Sequence, residues 1–163
     1  MQAPLLGGLF IGILSALPVV GLGNCCCCLW IVTGGMLAAY FDQQNDPRPI
    51  TVGRGAIVGL KAGVIGALVW LVVSVVLEPV LAPVRERMIA AALRIARDLP
   101  PDARAALESA DATSSLGYAL NFLLFLCVGA VFSTVGGMVG AAFFRNDVPP
   151  AIGGPIAPPP LPE

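Results

Sequence analysis

Asn24–Asp42, NCCCCLWIVTGGMLAAYFD, decides how the chain is read: four contiguous cysteines, an uncharged stretch with a Gly34-Gly35 step, then Tyr40 and Phe41 beside Asp42. The expectation is a helix opened by the cysteines and ended by an interfacial aromatic pair, because amphipathic rings settle at headgroup depth. Together with the residues before it, this stretch makes an uncharged run of 41 residues from Met1 to Phe41. As helix that run would be about 60 Å long, roughly twice the hydrocarbon thickness of a bilayer. Two crossings are therefore expected within residues 1–41, with the reversal at Pro18–Asn24, where Gly21, Gly23 and Asn24 accept turn dihedrals.

Composition agrees with a lipid solvent. Of 163 residues, 57% are apolar and 12% charged, and the mean hydropathy is +0.87, values foreign to a soluble domain of this size. A net charge of −1 gives no basic field for nucleic acid, so no nucleic-acid partner is expected. Histidine is absent, which removes the commonest near-neutral acid/base and metal ligand.

The N-terminus carries no Lys or Arg and so lacks the basic region of a secretory signal. It is read as mature structure; cleavage before Cys25 in the manner of a lipoprotein fits poorly, with Gly23 and Asn24 intervening. A first span is expected over Pro4–Val20, with Gly8, Gly12 and Ala16 on one face, and a second over Cys25–Phe41, with Gly34 and Ala38. Small residues at spacing four let backbones approach closely where lipid removes the hydrophobic drive for association. Residues 42–54 form a short polar loop. A third span, 55–78, carries Gly55, Gly59 and Gly63 and is stopped by Glu78 and Pro79; Lys61 near its start snorkels to the interface.

Eleven of the 19 charges lie between Glu78 and Asp111, so residues 79–114 are read as extramembrane. Val84, Met88, Ala91, Ile95 and Leu99 recur at helical spacing, with Arg87, Arg94 and Arg97 on the other side, which describes an amphipathic helix. Its apolar face lies either in the bilayer interface, arginines toward headgroups, or on the protein's own spans. A fourth span within 115–145 carries Gly129, Ser133, Gly137 and Ala141, and the tail 146–163 is too rich in Pro and Gly for packed structure.

Gly8–Leu17 aligns with Gly59–Leu68, and Gly34-Gly35-Met36-Leu37 with Gly136-Gly137-Met138-Val139. The pattern is consistent with duplication of a hairpin, whose copies would share an orientation and be related by an axis along the membrane normal.

No phosphate loop, paired intramembrane carboxylates or Ser/His/Asp set can be read, so neither an enzyme nor a cofactor is expected. The cysteines leave three readings open. Thiols 100° apart on a helix cannot build one tetrahedral site, and only Cys25 and Cys28, at CxxC spacing, return to one side as a metal or redox pair. Lipid attachment is the second reading, and soft apolar packing the third. Cys127 in the fourth span is the only other cysteine.

The order of a Gly-rich first helix, a Gly-Gly second, a glycine-row third and a Gly-Gly fourth, over residues 5–77 and 115–145, resembles small four-span prokaryotic membrane families of unknown function. The resemblance implies a prokaryotic inner membrane and transfers no catalytic residue. The sequence is thus read as an all-α polytopic membrane protein, four spans in two hairpins plus an amphipathic helix. Its expected partners are the bilayer and either further copies of itself or a larger membrane complex. The expected role is a non-enzymatic assembly component, with a small oligomeric transporter or pore as the alternative. Both termini fall on one side, taken as cytoplasmic, although four basic residues against five hardly orient the chain.

Overall fold

The computed structural model describes residues 2–25, 28–95, 100 and 115–145, with backbone alone at 25, 92, 93 and 95. Every element among these residues is helical. They are α1 (Gln2–Ala16), α2 (Pro18–Gly21), a 3₁₀ turn (Leu22–Cys25), α3 (Leu29–Asn45), α4 (Val52–Ile95) and α5 (Ser115–Phe144).

The helices form a four-sided bundle in which α1 packs on α3 and α4, and α5 packs on the same two from the other side. Directions follow from the glycine contacts. Gly7 lies against Ala38 and Ile11 against Gly34, so α1 and α3 are antiparallel; Gly8 lies against Ala62 and Ile65, and Gly12 against Gly66 and Val69, so α1 and α4 are parallel. Gly55 meets Gly137 and Ala141 while Gly63 meets Gly129, which makes α4 and α5 antiparallel. Large apolar side chains such as Leu68, Val72, Val76, Leu124, Val131 and Val135 point outward. Lipid, being as apolar as they are, takes these faces at no cost, and the interior is left to the small residues.

Two helices, α4 and α5, are long and apolar enough to cross a membrane, and three units are if α1 and the segment after it count as one. The protein is therefore read as integral to the membrane, but four full-length spans are not what the helices supply. The first expected span, Pro4–Val20, is broken: Gln2–Ala16 and Pro18–Asn24 are bent by 103°. The cause is local. Pro18 opens α2 and forces Leu17 out of the helical region to φ −79°, ψ 123°, as residues before proline generally are. α1 alone has 15 residues, about 22 Å of helix, and α3 has 17, about 25 Å.

The third span does not stop at Glu78 and Pro79. α4 continues through Pro79 and Pro83 for 44 residues, about 66 Å, so residues 79–95 extend the spanning helix and form no separate amphipathic one. Each proline removes one N–H, leaving the carbonyls of Val75 and Pro79 without their usual donor, a loss that membrane helices tolerate. The packing also does not repeat with the sequence. Gly8 faces α4 whereas its aligned counterpart Gly59 faces Ser133 and Gly137 of α5, while an axis relating the hairpins would turn Gly59 toward α1.

At one end of the bundle the polar loop after α3 is closed over buried Gln43. Its amide donates to the carbonyls of Asp46 (3.0 Å) and Arg48 (3.1 Å), and its oxygen accepts from the N–H of Ile50 (2.7 Å). Arg54 reaches back from α4 to Asp46 (2.6 Å) and Asp42 (3.2 Å), and Tyr40 meets Phe144 edge to face at 5.2 Å.

Candidate functional site

The cysteines do not open a helix. Cys25 ends the 3₁₀ turn and Cys28 is the residue before α3, in the left-handed conformation at φ 53°, ψ 43°. Neither residue lies within an α-helix, so the argument that spacing three brings Cys25 and Cys28 to one helix side does not apply; Cys26 and Cys27 lie outside the described residues. Cys28 packs against a cluster of Ile11, Ile31, Ala38, Val58 and Ala62. Cys127 is exposed on α5. Among the described residues no group of three or more potential metal ligands comes together.

Asn24, next to the cysteines, holds the reversal. Its amide donates to Ser15 Oγ (2.8 Å), its oxygen accepts from the Trp30 N–H (3.2 Å) in the first turn of α3, and Trp30 Nε1 donates to the Val20 carbonyl (2.6 Å). The side-chain polar groups of Asn24 and Trp30 at the bend are thus partnered.

Of the small residues singled out, Gly8, Gly12, Gly34, Ala38, Gly55, Gly59, Gly63, Gly129, Ser133 and Gly137 are all buried. They are not equivalent. A Cβ on Gly137 would come within 2.9 Å of Gly59 Cα and one on Gly63 within 2.8 Å of the Gly129 carbonyl carbon, whereas one on Gly129 would make an ordinary 3.4 Å contact. Ser133 is fully buried and donates to the Gly59 carbonyl at 2.7 Å. Gly35 of α3 abuts the same Ser133 and Gly137, so three helices meet there backbone to backbone. Lys61, Arg87 and Arg94 are exposed, and Arg97 lies outside the described residues.

The site with the most chemistry lies at the far end. A cavity of about 450 Å³ opens where α1 stops and α4 and α5 continue, lined by Ala16, Trp70, Glu78, Leu81, Arg85 and Tyr118, with Ser74, Met88 and Asn121 among the remaining walls. Arg85 holds Glu78 in a fork, Nη1 to Oε2 at 2.7 Å and Nη2 to Oε1 at 2.6 Å, and the Tyr118 hydroxyl donates to Oε2 at 2.9 Å. Trp70 and Phe125 stack at 5.1 Å beside it. The local cause is helical spacing: Trp70, Ser74, Glu78, Leu81, Arg85 and Met88 fall at intervals of three and four and so share one side of α4. That stripe is readable in the sequence once the helix is carried through Pro79. Taking Glu78-Pro79 as a stop cut it in half and left Glu78 as a boundary marker and Arg85 as one charge among many.

Compared with protein-family models, with curated proteins and with solved structures, the chain matches none.

Proposed function

We propose that the chain is a non-enzymatic membrane component, packed internally through its small-residue helix faces, that associates with itself or within a larger membrane complex. In this reading all four long helices are membrane-embedded as two hairpins, α1 and α3 forming a short one beside the full-length pair α4 and α5. The observation that carries it is the three-helix contact at Gly35, Gly59, Ser133 and Gly137, where backbones touch across the bundle. A permeation route through a single chain would run there, and the space is filled by backbone. The 46–51 loop, the start of α1 and the end of α5 share one end of the bundle, which supports placing both termini on one side of a prokaryotic inner membrane. Proteoliposomes carrying the purified chain should show no more ion or small-solute flux than empty vesicles, while crosslinking in native membranes should trap a discrete higher-mass species. Selective flux, or a chain that stays monomeric and unlinked in its own membrane, would overturn the reading. Reporter fusions at Asp46 and Asp102 should appear on opposite sides.

A further inference from the structure

The cavity at Glu78 and Arg85 has a depth, a charge balance and walls that together specify a ligand. Along α4, Glu78 lies 23 residues beyond Gly55, about 35 Å of helix, whereas Gly55 follows directly on the Arg54, Asp42 and Asp46 cluster at the other end. That separation is close to one hydrocarbon thickness, about 30 Å, so the ion pair stands at headgroup depth of the opposite leaflet. Its walls are mostly apolar, from Trp70, Leu81, Met88 and Ile89, and the volume of about 450 Å³ lies within the range of small-ligand sites, roughly 300–1,000 Å³.

We infer that this cavity binds one zwitterionic phospholipid whose headgroup ends in a primary ammonium, of the phosphatidylethanolamine class. The pair of Glu78 and Arg85 is neutral as a unit, and a ligand bearing both signs can exchange it without leaving a charge unpaired. The phosphate takes the guanidinium, whose planar fork matches it, and the ammonium donates to the carboxylate. An anionic lipid would take Arg85 and leave Glu78 with the Tyr118 hydroxyl but without its counter-ion, which is costly for a partly buried charge. A quaternary ammonium carries no N–H for Glu78. The Ser74 hydroxyl makes no hydrogen bond among the described residues and the Asn121 side chain spends only its amide N–H, on the Gly117 carbonyl (2.9 Å), so both retain polar capacity at the wall. This assignment stands on the cavity and on α4 crossing the bilayer, and does not depend on the assembly role proposed above.

The full chain in dodecyl maltoside, titrated with dioleoyl phosphatidylethanolamine, phosphatidylcholine or phosphatidylglycerol, tests it by native mass spectrometry. One ethanolamine lipid should be retained, at least fivefold more tightly than either of the others. The neutral double variant Glu78→Gln with Arg85→Gln keeps polar side chains at both positions while removing both charges and should lose that preference. Ser74→Leu, which fills the wall and leaves the pair intact, should weaken binding of all three lipids. Glycerophosphoethanolamine, the headgroup without chains, should fail to displace the lipid at millimolar concentration. Equal retention of the three lipids, tighter binding of phosphatidylglycerol, a preference surviving in the double variant, or displacement by the free headgroup would each overturn the assignment.

Discussion

Replacing Gly137 by Ala adds one carbon where α4 and α5 touch, and the structure says how far they must part. The new Cβ would stand 2.9 Å from Gly59 Cα and 3.0 Å from the Gly55 carbonyl carbon, both backbone atoms that no rotamer change can move. Restoring an ordinary carbon contact of about 3.5–4.0 Å separates the helices by roughly 0.6–1 Å. The Ser133–Gly59 hydrogen bond, now 2.7 Å, would then exceed useful length, a loss of about 0.6 kcal/mol for an interhelical bond in a membrane. Seam carbon pairs worth about 0.1–0.2 kcal/mol each forfeit a quarter to a half of that at such a gap, so a few tens of pairs lose on the order of 1–3 kcal/mol. Gly129→Ala is the matched control, since its Cβ meets nothing nearer than Gly63 O, at 3.4 Å. Both changes share the helix-propensity gain of Ala over Gly, about 1 kcal/mol, which cancels in the comparison. Gly137→Ala should therefore be about 2 kcal/mol less stable than Gly129→Ala in reversible unfolding by SDS in mixed micelles. Agreement of the two variants within about 0.5 kcal/mol would show that the seam gives way freely and that close backbone approach does not hold α4 to α5.

Gln43→Leu strands the Ile50 N–H and the carbonyls of Asp46 and Arg48, and should destabilise the chain by about 2–3 kcal/mol while exposing the 46–51 loop to protease. Gln43→Glu, which keeps only the bond from Ile50, should lie between it and the parent. The Arg48 N–H and the Arg54 guanidinium hold the Asp46 carboxyl down from 3.8 to about 2. With the folded value below the unfolded one, this contribution is complete above about pH 4 and lost as pH falls through 2; NMR titration of Asp46 should find a midpoint near 2, and a midpoint near 3.8 would mean that the clasp is open in solution. Cys28 occupies a left-handed conformation that costs a side-chain-bearing residue about 1–2 kcal/mol, so Cys28→Gly should be close to neutral, lost packing offsetting relief. Cys28→Val, branched at Cβ in the same conformation, should be clearly less stable than Cys28→Gly in the same micelle assay, and equal stabilities would show that α3 does not need this turn.

The sequence by itself determined the solvent and the all-helical class. Long uncharged runs leave helix as the way to satisfy backbone N–H and C=O groups in lipid, and glycine rows at spacing four mark faces fit for close contact whatever their partner. It placed the reversal near Pro18–Asn24 for the same local reason, that proline and glycine act on their own dihedrals. What each row touches was outside its reach. Gly8 on α4 and Gly59 on α5 carry the same local pattern and acquired different neighbours, because partner choice depends on how all four helices fill space together. The cysteine run looked like the start of a helix because apolar residues carry no boundary signal; only the tertiary structure shows the chain turning at Cys28, with Asn24 and Trp30 tying the turn to α1 and α2. Pro79 is a strong local signal to stop. It is overridden in α4, where the helix continues and Glu78 finds Arg85 two turns further on and Tyr118 on another helix, 40 positions away in the chain. A proline's cost is fixed locally, but whether a helix bears it is decided by what the extended helix gains, and that gain exists only once α5 and the blunt end of α1 stand beside it.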